Sequence, residues 1–184
     1  MVAPGLRAQR LRLVWVLALP FFLLSSPTPF HILLGGLLAV PGLLLRGLAA
    51  GFIHKDRFLA RHGPYAHLRH PLYLGSFFAG LGVVVAGGRW SLVLVFGALF
   101  TWLYSRTIRA EEGELETLFG EGFREYRRAV PALIPRLSVP DPETHSPGIK
   151  TFQLRAFVRN RGWEAPLGVL AAFLLLWLRM GFLH

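Results

Sequence analysis

Two adjacent carboxylates, Glu111 and Glu112, and the earlier segment Gly63-Pro64-Tyr65-Ala66-His67-Leu68-Arg69-His70-Pro71-Leu72-Tyr73-Leu74-Gly75 hold the side chains best suited to chemistry. Counted from Ile108 at about 100° per residue, Glu111 lies roughly 60° to one side of an Ile108, Leu115, Phe119 stripe and Glu112 roughly 40° to the other. Both carboxylates therefore border a buried face, whereas Glu114 and Glu116 point outward. Burying an ionised carboxylate costs several kcal/mol unless cations or donors meet it. A pair so placed is either a helix-surface feature balanced by Arg106 or Arg109, or a polar clamp for a charged, partly buried ligand. The Tyr, His and Arg of the earlier segment likewise have two readings: interfacial anchors beside a helix-opening proline, or ring and guanidinium donors lining a site.

These residues must be positioned by helices in a membrane. Apolar blocks near Leu11–Ser26, Phe30–Ile53, Leu72–Gly87, Trp90–Ile108 and Pro166–Phe182 each approach the roughly 20 residues that cross a hydrocarbon layer. The expectation is an all-α, polytopic membrane protein with about five spans. It forms a single domain over residues 1–184, with its motifs within about 59–135. The first block carries Pro20, and Arg179 in the last must snorkel toward the far interface. Pro71 opens the third span at a position where no hydrogen bond is lost, and Gly75 and Gly82 let that span pack closely on a neighbour. The fourth continues past the bilayer as an amphipathic helix, expected to bend or break at Gly113 and at Phe119-Gly120. Prolines 131, 135, 140, 142 and 147 punctuate a connector, and Thr151–Arg161 reads as a short basic amphipathic helix on the membrane surface.

A formal net charge of +10 would suit nucleic-acid binding, but the positions of the charges argue against it. Arg7, Arg10 and Arg12 precede the first span, Lys55, Arg57, Arg61 and Arg69 follow the second, and a long basic run from Arg106 to Arg161 separates the fourth from the last. That alternation is the positive-inside pattern and places the N-terminus and the loops holding the motifs in the cytosol, with His184 outside. The N-terminal block reads as a retained span, because Ser25-Ser26-Pro27-Thr28-Pro29 is a poor cleavage site. The chain has no cysteine, which removes disulfides, thiolate metal ligands and cysteine nucleophiles, and no metal is called for.

Taken together, Gly-Pro-Tyr, Arg-His-Pro-x-Tyr-x-Gly, a helical hairpin, Glu111-Glu112, Phe119-Gly120, Tyr126 and Val130-Pro131-x-x-Ile134-Pro135 resemble the isoprenylcysteine carboxyl methyltransferase and phospholipid methyltransferase superfamily. The resemblance runs from Leu59 to Pro135. It implies a membrane enzyme holding S-adenosyl-L-methionine in a cytosolic pocket closed by the C-terminal part. By the same resemblance the cofactor is surrounded by Tyr65, His70, Pro71, Leu72 and Tyr73, with backbone near Leu59, and by Glu111 and Glu112, whose carboxylates suit its hydroxyl and ammonium donors. An arginine shortly before the acidic pair is the usual substrate contact, for which Arg106 and Arg109 are the candidates. This chain has Phe123 where the family usually has tyrosine.

The implied reaction is methyl transfer to a lipophilic or lipidated acceptor drawn from the membrane. A carboxylate acceptor is already ionised at neutral pH and needs an arginine to orient it, whereas a phospholipid amine must lose a proton, to Glu112, Glu111 or His70. Two other classes share the architecture: a sterol-reductase-like enzyme using a nicotinamide cofactor, whose phosphates the acidic pair would repel, and a non-catalytic membrane scaffold.

Overall fold

In the computed structural model, residues 18–53, 58–137 and 151–183 are described. They form α1 (Pro29–Phe52), α2 (Pro64–His67), α3 (Pro71–Ala86), α4 (Trp90–Phe119), α5 (Glu121–Ala129), α6 (Leu154–Arg159) and α7 (Glu164–Leu183), preceded by helical residues 18–24; the described residues contain no strand. The all-helical, polytopic membrane architecture is as expected. Helices α1, α4 and α7 are long and apolar enough to cross a membrane, while α3 is a shorter apolar helix of 16 residues. At 1.5 Å per residue α3 reaches about 24 Å, less than a full hydrocarbon core. The first part of the first expected span, residues 11–17, together with Lys55, Arg57 and His184, lies outside the described residues.

The α1–α3 pair is the frame of the molecule. Gly35, Ala39 and Gly42 on α1 meet Gly82, Ala79 and Gly75 on α3, all of them buried. A Cβ added to Gly82 would stand 2.4 Å from the Gly35 carbonyl, and one on Gly75 2.7 Å from the Gly42 carbonyl. With lipid as solvent no hydrophobic force joins two helices, so this backbone-to-backbone approach supplies the van der Waals contact instead.

Helix α4 joins the frame differently. Phe77 of α3 meets Phe96 and Phe100 of α4 at centroid distances of 5.9 and 5.1 Å, and Tyr73 meets Tyr104 at 5.1 Å. At 30 residues α4 is about 45 Å long, so its last ten or so residues project beyond a hydrocarbon core of about 30 Å. Gly113 does not interrupt it, contrary to expectation. A glycine inside a helix costs about 1 kcal/mol relative to alanine, and the strong helix formers around Gly113 outweigh that. The helix ends at Gly120, whose φ of 54° and ψ of −126° suit glycine alone, and α5 turns back along α4 from there.

Arg179 also departs from simple snorkelling. Its Nε donates to the Ser25 carbonyl at 2.9 Å and its guanidinium to the Leu23 carbonyl at 2.7 Å, so it binds carbonyls where the helix over residues 18–24 ends. The expected amphipathic helix near Thr151–Arg161 forms as α6. Asn160 ties it to α1 by donating to the carbonyls of Ala50 and Ile53 at 2.9 and 3.0 Å.

Candidate functional site

The site is built where α3 begins. His70 caps that helix and Pro71 occupies its first turn, which directs the His70 ring toward the projecting end of α4. The loop before it is strapped from outside by the segment that leaves α5. The Arg69 and His70 amides donate to the carbonyls of Pro131 and Ala132 at 2.9 and 3.1 Å, and the Arg136 amide to the His67 carbonyl at 3.1 Å. His67 Nδ1 in turn donates to the Arg136 carbonyl at 3.0 Å, and the Tyr126 hydroxyl to the Tyr65 carbonyl at 2.7 Å. The proline-spaced motif Val130-Pro131-Ala132-Leu133-Ile134-Pro135 thus acts as an extended strap whose carbonyls satisfy the histidine loop. Beneath it, Phe123, Tyr126 and Val130 form a buried cluster with Leu59, Leu115 and Phe119 packed against them. Phe123, 1% exposed, fills an apolar position that asks for no hydroxyl.

Both glutamates meet the histidine segment, and they do so differently. Glu112 is buried: its Oε1 accepts from His70 Nε2 at 3.0 Å and from the Arg69 guanidinium at 2.9 Å, with Arg127 Nε 3.6 Å from Oε2. Two close donors and a second guanidinium offset the desolvation of this carboxylate. Glu111 keeps 39% of its side chain exposed and accepts from the Tyr73 hydroxyl at 2.6 Å, with His70 Nδ1 3.9 Å away. The His70 and Tyr73 rings stack at 5.6 Å. Glu112 is therefore the tie between loop and helix, and Glu111 the carboxylate left accessible to a ligand.

Tyr65 stands beside this pair. Its hydroxyl is buried without a hydrogen-bond partner. Burial raises its pKa well above the usual phenol value, the charges of Glu111, Tyr126 and Tyr73 add to that, and Arg46 opposes it. Burial raises Tyr126 as well, against Arg69, Arg61 and Arg136. Both phenols thus remain neutral donors.

Of the residues expected at the site, Tyr65, His70, Tyr73, Glu111 and Glu112 converge. Pro71 is fully buried as the helix opener, Leu72 is half-buried and lends its carbonyl to Ser76, and Leu59 supports the Phe123 cluster. Arg106 and Arg109 do not join them. Arg106 lies over the Trp102 ring at 4.9 Å and, at 100° per residue, stands about 140° around α4 from Glu111. The exposed Arg109 donates to the Ser105 carbonyl at 3.0 Å. Arg69, absent from the expected site, holds Glu112; its place next to His70 in the motif was the available signal. Arg46 of α1, also not anticipated, donates to the Ser76 hydroxyl of α3. Its signal was a charge inside an apolar span. The C-terminal cover expected over the pocket falls in part on residues 138–150, outside the described residues.

Residues 36–122 match the family model described as phospholipid methyltransferase. Over 82 residues the chain is 37% identical to the protein-S-isoprenylcysteine O-methyltransferase of Schizosaccharomyces pombe, covering 45% of this chain and 35% of the relative. It is 37% identical over 78 residues to the Xenopus laevis protein of the same name, covering 42% and 27%. It is also 36% identical over 85 residues to the cobalt-zinc-cadmium resistance protein CzcN of Cupriavidus metallidurans, covering 46% and 39%. The chain thus spans well under half the length of these relatives. No solved structure matches it. The superfamily resemblance read from the motifs is borne out across the middle of the chain.

Proposed function

We propose that this chain, whose central region is that of the isoprenylcysteine carboxyl and phospholipid methyltransferase superfamily, is an S-adenosyl-L-methionine-dependent methyltransferase. In this reading it acts on a lipophilic acceptor at the cytosolic face of the membrane, in a reaction most like isoprenylcysteine carboxyl O-methylation. The observation that carries the reading is the junction of two stretches far apart in sequence, His70 on Glu112 and Tyr73 on Glu111.

The residues present fit the donor. The half-exposed Glu111 offers carboxylate oxygens to hydroxyl or ammonium donors, the buried Tyr65 hydroxyl has a hydrogen bond to give, and Tyr73 and His70 present stacked rings beside them. When bound, S-adenosylmethionine supplies a methyl group on a sulfonium centre that a nucleophile displaces in line. The chain's part is alignment and exclusion of water. Glu112, held by Arg69 and His70, fixes the end of α4 so that Glu111 keeps its place; Glu112 and His70 are thereby occupied with each other rather than with a substrate proton. A carboxylate acceptor requires no base and accords with that arrangement.

Calorimetry of the purified protein in detergent tests the reading. Binding of S-adenosylmethionine or its demethylated product, with none of a reduced nicotinamide cofactor, is the expected result. Binding of the nicotinamide alone would overturn it in favour of a reductase, and binding of neither in favour of a scaffold.

A further inference from the structure

Helix α6 crosses the end of the bundle that holds the His70–Glu112 contact. Helices α1 and α3 run antiparallel, with Gly35 against Gly82 and Gly42 against Gly75, so the last turns of α1 lie beside the first turn of α3. Those last turns leave carbonyls without partners inside the helix, and α6 supplies donors to them. The Asn160 side-chain amide donates to the carbonyls of Ala50 and Ile53 at 2.9 and 3.0 Å, and the Gln153 backbone amide to that of Gly51 at 3.1 Å. The Phe152 ring lies against Gly51 and the Phe157 ring against Gly47. Helix α6 is thereby fixed at the level where α1 ends. With 24 residues α1 is about 36 Å long, against a hydrocarbon core of about 30 Å, and α7 starts back across the core from Glu164. That level is the boundary between acyl chains and headgroups.

Three faces of α6 follow from a rotation of about 100° per residue, counted from Leu154. Ala156 and Phe157, at about 200° and 300°, face the protein, and Ala156 is fully buried. Leu154 and Val158, at about 0° and 40°, are 67% and 54% exposed. Arg155 and Arg159, at about 100° and 140°, are exposed as well. Just beyond the helix Arg161 takes a left-handed φ of 54° and pairs with Glu164 at 2.9 Å, whereas Arg155 and Arg159 meet no carboxylate among the described residues. Trp163, a ring type favoured at this boundary, is also exposed. An apolar edge next to a cationic edge, with the third side taken by protein, is the profile of a helix lying in an interface. An occupant that is oily on one side and anionic on the other satisfies both edges at once.

We propose that α6 is a docking edge for an anionic phospholipid of the leaflet on this side of the membrane. Arg155 and Arg159 meet the phosphate and the net negative charge of the headgroup, and the acyl chains lie along Leu154 and Val158. A zwitterionic lipid carries an ammonium that cancels part of this attraction, so the preference for the anionic lipid comes to about fivefold per arginine. Because the same helix caps α1, a lipid held there also fastens the end of α1 beside the His70–Glu112 site.

Lipid-borne quenching tests this on the full-length protein. The chain has no cysteine, so Val158→Cys carries a single bimane label on the apolar edge. The labelled protein is placed in nanodiscs of phosphatidylcholine containing a minor share of phosphatidylglycerol at low ionic strength. Bromine is carried on the acyl chains of the phosphatidylglycerol in one preparation, and of an equal mole fraction of phosphatidylcholine in the other. Both lipids are expected to quench the label, with phosphatidylglycerol favoured by about five- to twenty-five-fold in relative association. Adding Arg155→Gln and Arg159→Gln together should abolish the preference while both lipids still quench, at a nearly unchanged thermal transition, since both side chains are exposed. Should that double variant fail to fold, Arg159→Gln alone should lower the preference by about fivefold. Absence of quenching by either lipid would overturn the proposal by showing that protein, from this chain or a partner, covers the edge. Equal quenching by the two lipids with both arginines present, or a preference that survives their replacement in a folded variant, would overturn it too.

Discussion

The two faces of α3 are joined to their neighbours by opposite means. Toward α1 it presents glycine and alanine, and the backbones touch; toward α4 it presents Phe77 and Tyr73, and contact is made ring to ring until, at the α3 N-terminus, hydrogen bonds and an ion pair take over. The first seam tolerates almost no change of volume. The second is held most firmly at the site itself, so the groups proposed to bind the methyl donor also anchor the α4 extension.

The largest effect is expected from filling the first seam. Gly82→Leu places side-chain atoms where a Cβ alone would already stand 2.4 Å from a backbone oxygen, and it should abolish the folded protein as judged by size-exclusion chromatography in detergent. Recovery of a monodisperse, thermally stable Gly82→Leu protein would show that the α1–α3 contact is not the frame. At the second seam, Glu112→Ala leaves Arg69 and His70 facing each other without the carboxylate. Breaking such a buried pair costs about 3–5 kcal/mol, to be read as a drop in Tm together with lost S-adenosylhomocysteine binding. Glu111→Gln should separate the two roles, losing affinity for S-adenosylhomocysteine by about tenfold or more with little change in Tm, because that carboxylate is half-exposed. Gly120→Ala forces a side chain into a φ of 54° and should cost about 1–3 kcal/mol of stability. The smallest effect belongs to Arg106→Gln, which should leave S-adenosylhomocysteine affinity within about twofold, since Arg106 lies over Trp102 on another side of α4.

Much of this comparison was legible in the residues. Pro71 marks the start of α3, Gly75 and Gly82 announce a close approach, and a helical count from Ile108 places Glu111 and Glu112 at the border of a buried face, where the structure has them. The difference between the two glutamates was not legible, because it depends on Arg69 and Arg127 arriving from segments distant in sequence. The strap from Val130 to Arg136 escaped for a related reason. Its proline spacing signals irregular backbone, and only the fold reveals that the carbonyls of Pro131 and Ala132 serve the amides of Arg69 and His70. A one-turn ambiguity along α4 made Arg106 and Arg109 look equivalent substrate contacts, and neither lies on the side that holds Glu111. Arg46 was visible as a lone charge in an apolar block, but its bond to Ser76 required knowing that α1 and α3 lie backbone to backbone.

In the proposed reading the end of α4, held against the histidine turn of α3, presents one accessible carboxylate to a methyl donor. Titration of S-adenosylhomocysteine into the wild type and Glu111→Gln side by side, each shown folded by its thermal transition, tests it most directly. Saturable binding to the wild type that weakens about tenfold or more in Glu111→Gln at unchanged Tm is the predicted result; equal affinity in the two proteins would contradict it.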